Sequence, residues 1–471
     1  MDIDLINEEH QEFRNQLATV TKEGKRKWIY PKKPSGRFHN ARIVVSILLI
    51  AFLIGAPFIK VNGQPFMLFD FMNRNFIIFS IPFGPHDFII FALAIITIVV
   101  FIILFTVIFG RIFCGWACPQ TVFMEMVFRK IEYWIEGDAR EQIRLKNSPW
   151  NTEKIFKKFF KHSIFFGISF FISNIFLSYL IGIDKLIDIV TDPPSKHLSG
   201  LIAITIFSGV FYFIFAYFRE QVCIIVCPYG RLQGVLLDPD SIVIAYDYKR
   251  GEPRGKYRKG DDFSTRGDCI DCHLCVDVCP TGIDIRNGIQ LECVNCTACI
   301  DACDSIMDKI NRPRGLIRYA SLKNIESKAK FEFTPRMILY TVILFILLTV
   351  LTILLINRSD YVFTVLRTRG TLFQEQPNNK ISNLYDLNIV NKTFEPVTLD
   401  IKLKNIEGEI KLLGNNLQFA PQEIKELKFM VLVDKNKIIK MNTPIQIDFI
   451  KDNKIIKSIN TTFLGPMELK K

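Results

Sequence analysis

The sequence predicts a multi-domain membrane protein. It should have a five-span α-helical membrane domain, an inner cysteine-rich module and a C-terminal all-β immunoglobulin-like sandwich. Three observations predict this. Five stretches of the 471 residues are apolar enough to cross a bilayer, which takes about 20 residues. All 12 cysteines fall between Cys114 and Cys303. The segment Asp360–Lys471 has no cysteine and alternates short apolar runs with turn residues. A chain that is 49% hydrophobic, with 42 Phe, is neither disordered nor collagenous. Confinement of the thiols to one stretch excludes a disulfide-stapled scaffold, whose cysteines would spread across its outer domains.

The spans run approximately Ile43–Ile59, Phe88–Phe109, Ile164–Ile181, Leu198–Phe218 and Met337–Ile356, and none contains Asp, Glu, Lys or Arg. A polar arm precedes the first, so no cleavable signal peptide is expected. Lys and Arg in short loops set the orientation. The arm carries Lys22, Lys25, Arg26, Lys27, Lys32, Lys33 and Arg37, whereas the first loop has only Lys60 and Arg74. The second loop is rich in Lys and Arg from Arg111 to Lys161; the third has Lys185 and Lys196 against three Asp. The arm, the second loop and Cys223–Arg336 therefore fall inside, and everything after the fifth span outside. This topology absorbs much of the net charge of +12 and leaves nucleic-acid binding without support.

The inner segment carries Cys269-Ile-Asp-Cys272-His-Leu-Cys275-Val-Asp-Val-Cys279-Pro280, the C-x2-C-x2-C-x3-C-P run of a bacterial ferredoxin. Cys293, Cys296, Cys299 and Cys303 repeat the spacing, with Asp304 in place of the proline. Three thiolates on a tight loop cap one cube, and the fourth points to the other. One [4Fe–4S] cluster is thus expected on Cys269, Cys272, Cys275 and Cys303, and a second on Cys293, Cys296, Cys299 and Cys279. Paired zinc sites fit this double spacing poorly. Gly282 and Gly288 fit the turns such a fold needs, and His273 is read as a surface residue near the first cluster.

The other four cysteines form two pairs, Cys114-Gly-Trp-Ala-Cys118-Pro119 and Cys223-Ile-Ile-Val-Cys227-Pro228, each just past the inner end of a span. If the helix continues, i and i+4 share one face before proline ends the pattern. The duplication lets four thiols converge at one membrane depth. Soft sulfur suits Cu(I), zinc or iron–sulfur chemistry, or a redox dithiol; inert buried cysteines are the plain alternative. Arg111 and Arg219 precede the pairs and serve either to lower thiol pKa values or as positive-inside anchors. Trp116 reads as an interfacial aromatic, and Lys25–Arg37 as a basic membrane-surface segment.

The C-terminal strands are expected at Tyr385–Val390, Val397–Leu403, Glu423–Val433, Ile445–Ile450 and Lys454–Thr462, with breaks at Gly408, Gly414-Asn415-Asn416, Asp434–Lys437 and Lys451-Asp452-Asn453. About seven strands fit an immunoglobulin-like sandwich. It shows no catalytic constellation.

The chain resembles the FixG/RdxA/CcoG proteins, membrane polyferredoxins that accompany cytochrome c oxidases of the cbb type. The resemblance covers nearly the whole chain. Its motifs are Tyr30-Pro-Lys-Lys-Pro-Ser-Gly-Arg-Phe38, Arg111-Ile-Phe-Cys-Gly-Trp-Ala-Cys-Pro-Gln-Thr-Val122 and Glu220-Gln-Val-Cys-Ile-Ile-Val-Cys-Pro-Tyr-Gly-Arg231, followed by Tyr246-Asp through Arg250-Gly-Glu-Pro-Arg-Gly255, Cys279-Pro-Thr-Gly-Ile-Asp-Ile-Arg286 and Arg314-Gly-Leu-Ile-Arg-Tyr319. It implies a membrane-bound electron-transfer protein, an oxidoreductase that reduces Cu(II) to Cu(I) for maturation of the oxidase. Copper would be transient at Cys114, Cys118, Cys223 and Cys227, which would meet it or relay the last electron. The implied partners are the lipid bilayer, a cbb-type oxidase or its copper-delivery factors, and an unidentified electron donor. The implied location is the bacterial inner membrane, with N-terminus and clusters cytoplasmic and the last domain periplasmic. Two other functions fit the motifs, a quinol dehydrogenase-type ferredoxin and a non-catalytic assembly scaffold. The expected divisions are 1–40 (arm), 41–227 (four spans with both pairs), 228–335 (two-cluster module), 336–357 (fifth span) and 358–471 (outer domain).

Overall fold

The computed structural model describes residues 18–466 except 22, 73, 257–265, 329–331, 415, 416 and 439. Lys22 and the turn residues Asn415 and Asn416 lie outside the described residues. The chain divides into two units, one built from residues 1–59, 67–70 and 90–351, the other from 60–66, 71–89 and 352–471.

The long helices are α1 (Arg37–Gly55), α2 (Phe88–Phe109), α3 (Thr152–Ile181), α4 (Leu198–Phe213), α5 (Ala298–Lys309) and α6 (Pro335–Ile356). All but α5 are long and apolar enough to cross a membrane, counting the short turns that extend α1, α2 and α4. Of the most apolar stretch of α6 only 6% is buried, and Phe345 is 71% exposed. A core helix of a soluble protein would be enclosed, so this surface suits lipid. The helix α3 has 30 residues, more than a span needs. Its extra turns begin at an Asn151 cap, whose side chain accepts from Lys154 N at 2.9 Å, and carry Lys154, Lys157, Lys158 and Lys161. Aromatic packing locks the helices together. Phe128 stacks on Phe215 at 4.5 Å and meets Phe165 edge-on at 4.9 Å, contacts each contributing about 0.5–1.5 kcal/mol beyond burial.

The cysteine-rich module pairs Val243–Tyr246 antiparallel with Ile317–Ala320, Ile244 opposite Tyr319. With α5 they enclose Ile244, Ile285, Ile300, Met307, Leu316 and Ile317. The arm is laced onto this module, not only onto a membrane surface as its basic sequence suggests. Asp301 of α5 accepts from Phe38 N (3.1 Å) and His39 N (2.7 Å), supplying a remote N-terminal cap for α1. Gly36, at φ 149°, permits the approach, because a Cβ there would lie 2.3 Å from Asp301 Cγ.

The second unit holds the expected immunoglobulin-like sandwich. One sheet runs Gly408–Leu413, Ile424–Asp434, Lys380–Asn391, Tyr361–Arg367, with Gln374–Gln376 also on Lys380–Asn391. The facing sheet runs Asp400–Leu403, Asn442–Lys451, Lys454–Leu464. Phe363 and Phe449 stack at 4.3 Å across the two. The single strand expected at Val397–Leu403 splits. Val397–Thr398 pairs with Gln418–Phe419, and Asp400–Leu403 joins the other sheet, a strand changing sheets at buried Leu399. Asp87, from the segment after the first span, pairs with Arg358 (2.9 Å) and Lys392 (2.5 Å) in this unit.

Candidate iron–sulfur and membrane-thiol site

Both four-cysteine runs fold alike. Asp271 (φ 52°) and Asn295 (φ 53°) precede the second cysteine of each run, and His273 (φ 57°) and Thr297 (φ 65°) follow it. These left-handed residues curl each loop into a cup. Asp and Asn take that conformation readily, whereas β-branched Thr does so only under constraint. Such local strain marks sites whose geometry is imposed for function. Each loop then feeds a short helix, Leu274–Asp277 or α5.

Two apolar cavities result. Cys269, Cys272, Cys275 and Cys303 line the first, with Tyr246, Met307 and Leu316. Cys279, Cys293, Cys296 and Cys299 line the second, with Ile244, Thr281 and Ile285, and Cys275 borders both. Cys303 of the second run thus lines the cavity of the first run, and Cys279 of the first run lines that of the second. Asp304, in the place of the proline, accepts from Gly315 N at 2.9 Å. His273 is largely exposed and lines the first cavity, its Nδ1 2.9 Å from Arg286.

The donor chemistry fits [4Fe–4S] clusters. All twelve cysteines are free. Burial pushes the Cys275 and Cys293 thiols up to about 12 and Cys296 to about 11. Left alone these would stay protonated; metal binding is what converts such thiols to thiolates. Among the described residues no three His, Cys, Asp or Glu side chains converge as the ligands of one ion do. A four-iron cube asks for a wider cage, since each thiolate caps its own iron.

The membrane pairs depart from the continuous helix that i, i+4 spacing suggests. The helix Ile112–Trp116 stops, Cys118 is extended (ψ 124°), and Pro119 opens the next helix. The second pair repeats this. Cys223 sits in a π-helical turn, Cys227 is extended (ψ 110°), and Pro228 begins Pro228–Leu236. The residue before proline is driven out of the helical region, while proline suits a first helical position. Proline thus starts a helix here, where the sequence suggests that it ends one.

The four thiols share one neighbourhood but do not converge as the ligands of one ion. Burial raises Cys223 to about 12, and Cys118, Cys114 and Cys227 are all near enough to add to it. Cys114 donates to Gln233 Oε1 at 3.1 Å, and Arg111 Nε donates to the same oxygen at 3.0 Å. Arg111, 4% exposed, also bonds the Leu291 carbonyl. It pulls the Cys114 pKa down, but burial outweighs it. Arg219 instead turns to Glu132 with a bidentate contact of 2.8 and 2.9 Å. It is 2% exposed, so it is not a surface anchor. Trp116 is likewise not a free interfacial ring; its Nε1 donates to Tyr319 OH at 3.1 Å, on the module's strand.

Sequence reasoning missed a buried charge network beside this site. Lys161 meets Glu136 (2.9 Å) and Glu132 (3.5 Å), Lys158 meets Glu136 (2.8 Å), and Arg129 meets Glu125 (3.0 Å). The available signal was Glu125, Glu132 and Glu136 within an otherwise basic loop.

Comparison with known proteins agrees with this geometry. Residues 218–322 match a family model described as a 4Fe-4S dicluster domain, and residues 351–466 one described as an IG-like fold at the C-terminal of FixG. Protein RdxB of Cereibacter sphaeroides is 35% identical over 387 residues, 79% of this chain and 80% of that protein. The chain belongs to the FixG/RdxA family. Protein RdxA of the same organism is 36% identical over 383 residues, 78% of this chain and 80% of RdxA. The nitrogen fixation protein FixG of Rhizobium meliloti is 34% identical over 313 residues, 64% of this chain and 58% of FixG. This FixG/RdxA-family chain is a multi-pass membrane protein and an iron–sulfur electron-transfer protein. A further match, described as a 4Fe-4S binding domain, covers residues 91–137 and hence Cys114 and Cys118.

Proposed function

We propose that this FixG/RdxA-family protein carries single electrons through its eight-cysteine module to the membrane thiols and reduces Cu(II) to Cu(I) there. The copper would serve a cytochrome c oxidase of the cbb type, directly or through copper-delivery factors. The observation behind this is the contact of the first membrane pair with the second cysteine loop. Cys114 packs in one apolar cluster with Val294, Cys296 and Ala298, and Cys223 lies against it.

In this reading Cys269, Cys272, Cys275 and Cys303 hold one [4Fe–4S] cluster, and Cys279, Cys293, Cys296 and Cys299 the other. When bound, the clusters supply one-electron redox chemistry at potentials tuned by burial and hydrogen bonding. Exposed Cys272 gives a separate electron donor its approach, and Cys275 joins the two cages. Cys114, Cys118, Cys223 and Cys227 offer soft sulfur, which favours Cu(I) over Cu(II). Each Cu(II) takes one electron and no proton. The basic arm and second loop argue for a cytoplasmic module in a bacterial inner membrane, and the last domain is then periplasmic. The pairing of Asp87 with Arg358 and Lys392 agrees, since that topology puts all three on the outer side.

The match over residues 91–137 favours a second reading, in which the four membrane thiols hold an iron–sulfur centre of their own. One experiment tests Cu(II) against a quinone as the electron acceptor. Holoprotein reduced with dithionite is mixed anaerobically with Cu(II) and a Cu(I) chelator, or with a menaquinone analogue. Cluster reoxidation with one Cu(I) per electron is expected. Reoxidation by the quinone alone would overturn the copper proposal.

A further inference from the structure

A cavity of about 490 Å³ opens beside the first turns of α1, within the range of small-ligand sites. Lys33, His39, Arg42 and Lys130 line it, with Glu125 and Trp134. The charges do not balance. Glu125, the carboxylate among them, is committed to Arg129 at 3.0 Å. Among the described residues the side chains of Lys33, Arg42 and Lys130 pair with no carboxylate, and Asp138 Oδ1 accepts from the backbone amide of Lys33, not its side chain, at 2.8 Å. Burial and then Lys33 pull the Lys130 pKa down, as expected where cations gather without a counter-charge. Arg42 is no solvated surface residue; it is 4% exposed, and its Nε donates to Gly115 O at 3.0 Å.

The surroundings are apolar and open. Trp134 is 73% exposed, and its ring stands 6.1 Å from Phe160 of α3. Phe156 and Phe159 on that helix are 66% and 70% exposed. A free oxyanion has no use for such a belt, but acyl chains do. Basic pockets against membrane helices take phospholipid head groups, and exposed Trp marks the interface.

We propose that this cavity binds the phosphate of an anionic phospholipid, with Lys33, Lys130 and Arg42 around the phosphate and the chains against Trp134 and the α3 phenylalanines. The bound lipid braces two parts of the redox site. Arg42 holds the Gly115 carbonyl beside Cys114, and the His39 amide holds Asp301 between Cys299 and Cys303. The proposal stands apart from the copper reading, because it concerns a ligand and not the electron acceptor.

The test uses iron-loaded full-length protein in nanodiscs of phosphatidylcholine with rising fractions of phosphatidylglycerol, read by native mass spectrometry and thermal midpoint. Wild type should retain one phosphatidylglycerol, and its midpoint should rise to saturation. Lys33→Gln/Lys130→Gln should weaken retention about thirtyfold, the change two near-surface lysine contacts carry. Lys25→Gln/Lys157→Gln, which removes equal charge elsewhere, should retain the lipid. Equal loss in both variants would mean diffuse attraction and overturn the site. Saturation of the midpoint by inorganic phosphate alone, with no lipid retained, would overturn the lipid as its occupant. Both variants keep Arg42, and their iron content reports whether the fold is intact.

Discussion

The backbone of Gly115 lies so close to that of Asn295 that a Cβ on Gly115 would stand 2.5 Å from the Asn295 carbonyl oxygen, and 2.6 Å from that of Val294. Gly115 follows Cys114, and Asn295 precedes Cys296. This contact brings a membrane thiol against a cluster loop. It requires glycine on steric grounds, because both opposing atoms are backbone and cannot rotate away.

Gly115→Ala should therefore push the two loops apart. Overpacking of this kind costs about 1–3 kcal/mol, or roughly 2–4 °C in thermal midpoint per kcal/mol for a domain of 150–250 residues. Copper reduction should fall while iron content holds. A variant with normal stability and normal rate would show that the contact is not needed.

Serine at Cys114, Cys118, Cys223 and Cys227 should abolish copper reduction and leave about eight irons per chain, the content of two four-iron clusters. Metal analysis of wild type and variant checks this, together with EPR of the dithionite-reduced protein, where two interacting S = 1/2 centres are expected. Loss of about four irons from a wild-type content of about twelve would instead place an iron–sulfur centre on the membrane thiols.

The two cages were legible because a cluster's ligands repeat at short, fixed spacing, so Cys269 through Cys303 declare their grouping within 35 residues of chain. The five spans were legible because lipid demands long apolar runs. The C-x3-C-P pairs were only half legible. Their shared neighbourhood followed from duplication, but the expected helix ignored the restriction that Pro119 and Pro228 impose on Cys118 and Cys227. Arg129, Lys161 and Arg219 read as loop charges that set topology. That their side chains turn inward onto Glu125, Glu132 and Glu136 depends on contacts as far as 87 positions apart, as in Arg219–Glu132. Loop charge counts carry no such information.

Asp301→Ala should loosen the arm from the module. It strips the amides of Phe38 and His39 of their acceptor, at about 1–2 kcal/mol for a lost cap. Asp301→Asn should recover part of this, because its amide oxygen still accepts. Limited proteolysis before Gly36 reads the effect. Protection equal to wild type in Asp301→Ala would show that the cap does not hold the arm.

Glu132 should set the acid limit of stability. Burial disfavours its charge, but Arg219, Lys161 and Arg129 together outweigh burial and hold its pKa at about 2, against an ordinary 4.5. A carboxylate depressed in the folded state contributes stability that is complete above its unfolded pKa. That contribution drains away as pH falls from about 4.5 towards about 2. Glu132→Gln keeps the shape and removes the charge, leaving Arg219 buried without its full partner. The expected cost at neutral pH is about 3–5 kcal/mol, as for other broken buried pairs. The variant's thermal midpoint should then change less than that of wild type across the same acid window. If wild type and Glu132→Gln lose stability in parallel there, some other carboxylate carries the acid limb.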